Sequence, residues 1–297
     1  MKASLKGTLY VMLSAVLFGI APLMASWVTQ GGSNSATLAL LRFVLSLPIL
    51  FLLALKQMPR PRLPKGAGLP MLGAGALQAA TNLLLYASYD YIPSGMCTTL
   101  HFVYPLVAAV LTAVFLKRKL GLGHWAGLMV GLGGISLFMA DAQGGSFFGA
   151  ALALLSGLAF GSYVVVIDTK PFKGVPCFVF AFYQALAVIF ATLLWAVPAG
   201  QIDLHMTASA WAGALGVAIL NSVLAGVLLQ VGITLVGPAS AALLSLLEPL
   251  TSVVVGVTLL GDPLPLVKTI GCGLILAGLT LSILLPQRLK FREKRLL

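Results

Sequence analysis

Residues 243–281 read LLSLLEPLTSVVVGVTLLGDPLPLVKTIGCGLILAGLTL. Two apolar runs flank a tight turn at Gly261-Asp262-Pro263, and the second run continues to Leu285. At about 1.5 Å of rise per helical residue, each run is long enough to cross a hydrocarbon layer of about 30 Å. Glu248 stands inside the first run, followed by Pro249. A carboxylate at mid-membrane costs on the order of 2.5 kcal/mol or more on insertion scales, so it has to face a cavity or a partner and not lipid. The rest of the chain is the scaffold around that acid.

The whole sequence agrees with this reading. Of 297 residues, 60% are hydrophobic and 8% charged, with a mean hydropathy of +1.05. A soluble domain carries about 25% charged residues, so the predicted class is an all-α polytopic membrane protein. The apolar runs predict ten transmembrane helices, near 7–28, 36–56, 68–90, 94–116, 122–140, 147–167, 175–198, 209–234, 238–260 and 265–285. The first follows Lys2 and Lys6 as a signal peptide would. Its core is too long for one and no small-residue cleavage site follows, so it is expected to stay attached.

The net charge of +11 does not point to nucleic acid, because the cations gather in short loops and at the termini, with no aromatic-interleaved basic groove. Alternate connections hold Lys56, Arg60, Arg62 and Lys65; Lys117, Arg118 and Lys119; and Lys170 and Lys173; the tail adds five more. The opposite set holds Lys268, with Asp90, Asp141, Asp203 and Asp262 nearby. By the positive-inside rule both termini are cytoplasmic. Cys97, Cys177 and Cys272 lie in or beside apolar runs and form no CxxC motif, so they are read as small hydrophobes.

The chain also repeats itself. Shifted by 144 residues, Leu84-Leu85 falls on Leu228-Leu229, Leu100 on Leu244 and Pro105-Leu106 on Pro249-Leu250; Gly127 falls on Gly271 and Gly134 on Gly278 without a gap. LSAVLFG (Leu13–Gly19) likewise matches LSGLAFG (Leu155–Gly161). Each half, 1–142 and 143–297, holds five spans. An odd number makes the second copy enter from the opposite face, which predicts two inverted five-helix repeats with a binding site near mid-membrane between them.

The pattern EP-x(6)-G-x(3)-LGD (Glu248, Pro249, Gly256, Leu260, Gly261, Asp262), followed by GCGLILAG (Gly271–Gly278), resembles the second half of the drug/metabolite transporter superfamily. It is most similar to the EamA-type members with ten spans, and within them to the YddG-type exporters of aromatic and other neutral amino acids. The resemblance implies a multi-pass protein of a bacterial-type inner (cytoplasmic) membrane that moves small metabolites by alternating access.

Candidate site residues follow from polar groups at helical spacing. Ser245 and Ser252 share a helix face with Glu248, which the repeat pairs with Tyr104, as it pairs Ser245 with His101. Glu248 is read as lining the translocation path, as substrate anchor or as proton carrier, with structural packing the alternative. Gln78, Asn82, Tyr86 and Tyr89 fall at successive turns of the third span, and Asn221 and Gln230 form a thinner counterpart in the eighth. Amides and phenols suit a zwitterion, and they also hold helices together in membranes. Ser156, Phe160 and Tyr163 share a face of the sixth span, of which Tyr163 is the cavity candidate; Tyr183 and Gln184 lie in the seventh. Arg42 is the one Lys or Arg inside an apolar run. It is read either as meeting a substrate carboxylate or, more blandly, as pairing structurally or snorkelling. His101 is read either as a group that titrates near neutral pH or, more blandly, as a satisfied structural histidine. Prolines 22, 48, 105 and 249 lie within spans and are expected to kink them or to loosen their backbone bonds.

Other classes lack their chemistry. His101, His124 and His205 are dispersed and no HExxH or GxSxG context occurs, so an intramembrane enzyme is not expected. No GxxxxGK[ST] loop is present, so no nucleotide cofactor, or any other, is called for. A nucleotide-sugar or cationic-drug carrier is the alternative substrate reading. The former needs several cavity cations to meet a diphosphate, where the spans offer Arg42. Gly127-x(3)-Gly131 and Gly157-x(3)-Gly161 are read as packing between spans of one chain, which suits a monomer in the bilayer, with a dimer face the alternative.

Overall fold

The computed structural model describes residues 2–88, 91–92, 94–137, 146–260 and 265–284. Tyr89, the Gly261–Pro263 turn, the 142/143 boundary between the expected repeats and the basic tail lie outside the described residues. The described chain is helical, with no strand: α1 (Lys2–Gln30), α2 (Ser35–Val44), α3 (Leu47–Gln57), α4 (Gly68–Ser88), α5 (Ser94–His101), α6 (Tyr104–Val114), α7 (Leu122–Ser136), α8 (Phe147–Val166), α9 (Cys177–Ala196), α10 (Ala208–Val217), α11 (Gly226–Val236), α12 (Pro238–Leu244), α13 (Leu247–Val255) and α14 (Leu266–Leu284). π-helical turns at Ala218–Ala225 and Gly256–Leu260 join α10 to α11 and extend α13. Counting α2–α3, α5–α6, α10–α11 and α12–α13 as single spans gives the ten stretches expected from hydropathy. Six of these stretches reach 18 residues of apolar helix, among them Cys177–Ala196 and Pro238–Leu259.

The breaks have a covalent cause. Pro48, Pro105 and Pro249 sit in the first turns of α3, α6 and α13. A proline donates no backbone hydrogen bond and its ring crowds the carbonyl four residues back, so the helix before it stops. The Glu248 N–H instead closes a short turn on the Ser245 carbonyl at 2.9 Å. Ser245 and Glu248 therefore flank a break, whereas the sequence suggested one continuous face. α1 runs on past position 22, so the chain does not break there as it does at the other three prolines.

Close glycine contacts record the internal symmetry. A Cβ on Gly127 would come within 2.5 Å of the Gly278 carbonyl oxygen, and one on Gly134 within 2.6 Å of that of Gly271. Moving each partner by the 144-residue repeat, Gly127 up to Gly271 and Gly278 down to Gly134, turns the first contact into the second. α7 and α14 thus meet as an antiparallel, self-complementary pair, as a two-fold axis in the membrane plane requires. The same relation holds elsewhere. Gly161 of α8 lies against the Tyr104 carbonyl and Val107, while Gly19 of α1 lies against the Glu248 carbonyl and Thr251. The first helix of each half therefore packs on the other half: α8 against α4 and α6, α1 against α11 and α13. The small-residue pairs serve packing within the chain.

The two ends are tied differently. At the α1–α2 connection, Asn34 accepts the Thr37 N–H at 2.8 Å and donates to the Gln201 carbonyl at 2.9 Å. Ser33 donates to the Asp203 carbonyl at 3.0 Å. The backbone N–H of His205, followed by its ring, holds the exposed Asp203 carboxyl below its ordinary range. At the opposite end Arg118, from the α6–α7 connection, pairs with the buried Asp168 beyond α8 at 2.6 Å.

Candidate functional site

The breaks put helix ends inside the bundle. Glu248 lies in the first turn of α13, and Arg42 in the last turn of α2, just before the Leu45-Ser46 break. Each charge thus sits at the helix end whose dipole opposes it in sign. The Arg42 charge is felt at both Glu248 and the Tyr163 hydroxyl. Arg42 is buried, its Nε donates to Ser222 Oγ at 3.4 Å, and its guanidinium lies 5.0 Å from the Phe43 ring. It does not snorkel. Ser222 and its neighbour Asn221 belong to the π-helical turn of the eighth span, where the altered pitch re-aims side chains. Among the described residues, neither Arg42 nor Glu248 forms a direct ion pair.

An aromatic cluster adjoins this pair. Tyr104 is fully buried and meets Phe160 edge-on with centroids 4.7 Å apart, and His101 lies 5.4 Å from Tyr104 and 5.7 Å from Phe160. Phe160 stacks on Tyr163 at 5.8 Å, and Gln184 of α9 donates to the Tyr163 hydroxyl at 2.6 Å. Glu248 acts electrostatically on Tyr104. The Tyr104 hydroxyl finds no hydrogen bond of good geometry; its neighbour Ser245 donates back to the Ala241 carbonyl at 3.0 Å. Ser252 donates to the Gly19 carbonyl at 3.0 Å. The two serines expected to flank Glu248 are thus engaged with backbone.

The tautomer of His101 follows from its partner. Nδ1 lies 2.8 Å from Ser156 Oγ, and Ser156 gives its single hydrogen to the Ala153 carbonyl at 2.6 Å. With that hydrogen on the carbonyl, the Ser156 oxygen accepts from Nδ1–H, the arrangement that leaves Nε2 able to accept. His101 and Glu248 both keep partial exposure within the bundle.

His101, Tyr104, Tyr163 and Glu248 are thus brought together around Phe160 and Arg42. Gln78 and Asn82 are buried on α4, which packs on α8 and α9, and Tyr86 is half-buried farther along the same helix. Asn82 Nδ2, Asn221 Oδ1 and Gln230 Oε1 are buried without a hydrogen-bond partner, which costs about 1–3 kcal/mol each unless something else meets them. Two residues carry more of the site than the sequence suggested. Arg42 was visible as an isolated cation but not its partner Ser222, and Gln184 stood out by no periodic signal. No group of three or more metal-ligating side chains occurs among the described residues.

The pattern of the EamA-like transporter family matches the sequence twice, over residues 5–140 and 147–284. The chain belongs to that family. Curated relatives of this EamA-like transporter include the threonine/homoserine exporter RhtA of Salmonella typhimurium, 30% identical over 243 residues and 80% of each chain. RhtA of Escherichia coli is 28% identical over 83% of this chain and 82% of that one. The uncharacterized transporter YwfM of Bacillus subtilis is 26% identical, and the match spans 64% of either chain. A solved crystal structure shares the fold, with a TM-score of 0.79 at 21% identity over 96% of this chain and 98% of that one. This EamA-like transporter is a multi-pass membrane protein, and its repeat organisation agrees with the double match.

Proposed function

We propose that the protein exports small zwitterionic metabolites, neutral amino acids foremost, by alternating access between its two repeats. The observation that carries this reading is the arrangement of Arg42 and Glu248. Two opposite charges lie inside the bundle, near enough to sense each other yet without a direct ion pair. An amino acid carries the complementary pair, its carboxylate suited to the guanidinium fork and its ammonium to Glu248 and the His101 Nε2 acceptor. Tyr104, Phe160 and Tyr163 offer apolar faces to the substrate's side chain. The orphan atoms of Asn82 and Asn221 extend the same polar lining, with Gln78 and Tyr86 beside them on α4.

The named cargo of the RhtA relatives, threonine and homoserine, is neutral and zwitterionic, which supports this class. The aromatic cluster keeps open the aromatic amino acids implied by the YddG-type resemblance. One buried cation within the spans suits a carboxylate better than a diphosphate, which disfavours the nucleotide-sugar alternative. Glu248 is in addition the coupling candidate: a buried carboxylate that exchanges exposure between the two faces can carry a proton. The basic connections support cytoplasmic termini in a bacterial inner membrane, and the inward use of the glycine contacts supports a monomer. Counterflow in proteoliposomes with amino acids, nucleotide sugars and cationic drugs tests the reading. Saturable exchange of neutral amino acids is expected; nucleotide-sugar exchange without amino-acid flux would overturn it.

A further inference from the structure

Away from the central site, α4 and α9 leave a groove of about 400 Å³ on the bilayer-facing surface, near the end of the bundle that carries the basic connections. It is lined by Leu63, Met71, Leu72, Tyr183, Leu186 and Phe190, and is almost wholly apolar. Leu72 and Phe190 are more than half exposed. In a soluble protein such a surface would be a liability; here the bilayer covers it.

The mouth of the groove is built differently. The connection Met58-Pro-Arg-Pro-Arg-Leu-Pro-Lys65 places three prolines among three cations and contains no acid. Proline fixes φ, so the loop is held extended at small entropic cost. It is also anchored. The Tyr183 hydroxyl, on the groove wall, donates to the Pro61 carbonyl at 3.0 Å, and the Ala67 N–H closes a turn on the Pro64 carbonyl at 3.0 Å, with Gly66 at φ +86°. Leu63 enters the groove, while Arg60, Arg62 and Lys65 stand exposed and form no ion pair among the described residues.

We propose that this is a binding site for an anionic phospholipid of the leaflet facing the basic connections. An acyl chain lies along the α4–α9 groove and the phosphate meets Arg62 and Lys65. Apolar groove and rigid, uncompensated cationic rim match the two halves of that molecule and of no soluble anion. The site is independent of the transported substrate. Its physical consequence is that lipid charge bears on the α4–α9 packing, where a Cβ on Gly75 would already lie 2.3 Å from that of Ala187.

Native mass spectrometry tests the assignment with the full-length protein from nanodiscs of equal parts phosphatidylglycerol and phosphatidylcholine. Wild type is expected to retain phosphatidylglycerol in preference. The double variant Arg62→Gln/Lys65→Gln should lose that preference, a drop on the order of tenfold for two membrane-facing cations. The charge-matched double variant Lys117→Gln/Lys119→Gln should keep it. Leu72→Trp, which fills the groove, should lower retention of both lipids, and added inorganic phosphate should displace neither. Undiminished preference in Arg62→Gln/Lys65→Gln, an equal loss in the Lys117/Lys119 variant, or displacement by free phosphate would each overturn the proposal.

Discussion

If Arg42 and Glu248 hold opposite ends of one zwitterion, each variant should lose the ability to sense one particular substrate charge. The measurement is competition in proteoliposome counterflow by three forms of the transported amino acid: the zwitterion, its decarboxylated amine and its deaminated acid. The Arg42 Nε is engaged with Ser222 at a long 3.4 Å, which leaves the two terminal NH2 groups for a carboxylate. Hydrogen bonds to charged groups contribute about 1.5–3 kcal/mol net, so wild type should prefer zwitterion to amine by about ten- to a hundredfold. In Arg42→Gln that preference should vanish, and in Glu248→Gln the preference of zwitterion over acid should vanish instead. Absolute affinities are a poorer guide, because Arg42→Gln also deprives Glu248 of its nearby cation. With no direct pair, that attraction stays below about 4 kcal/mol at an effective dielectric near 20, yet it is enough to alter folding yield. A ratio taken within one variant cancels this penalty. Equal weakening of zwitterion and amine in Arg42→Gln would refute the reasoning and make Arg42 a packing residue.

Three further outcomes are expected. Glu248→Gln should fold and keep a weakened downhill exchange, since the substrate ammonium loses its partner, but lose pH-dependent uphill transport altogether; full pH-dependent transport in a well-folded variant would exclude the coupling role. Gly278→Leu should destabilise the protein, since its first side-chain atom would sit 2.5 Å from the Gly127 carbonyl. The helices must part by roughly 1 Å at a typical overpacking cost of about 1–3 kcal/mol, read as a lowered melting temperature in detergent, with Gly273→Leu, which has open space, as the silent control. In a cysteine-free background, single cysteines at Ser33 and Gln201 should react with an impermeant reagent in intact cells, and those at Arg62, Lys119 and Lys173 should not; the reverse pattern would invert the orientation.

Much of the architecture is legible in the chain because bilayers impose one-dimensional rules. A segment must be apolar over a fixed length and helical throughout, so hydropathy locates Cys177–Ala196 and Pro238–Leu259 without knowledge of their neighbours. Gly127 and Gly134 recur as Gly271 and Gly278 because close helix contact tolerates no side chain, and the recurrence exposed the repeat. Glu248 was conspicuous for a related reason: a carboxylate among lipid-length apolar runs has to be explained.

The sequence did not say what Glu248 would find. Pro48 stops α2 so that Arg42 ends a helix inside the bundle, and Pro249 marks where Glu248 begins another; which helix ends meet depends on how spans from opposite halves interlock. The α8 helix lies mainly on α4 and α6 of the other half, and this brings Phe160 and Tyr163 beside Tyr104 and His101. Nor could periodicity reveal that Gln184 reaches the Tyr163 hydroxyl, or that the π turn at Ala218–Ala225 presents Ser222 to Arg42. Hydropathy and spacing are properties of one helix against lipid. A site is a property of several helices against one another, set by packing contacts far apart in the chain.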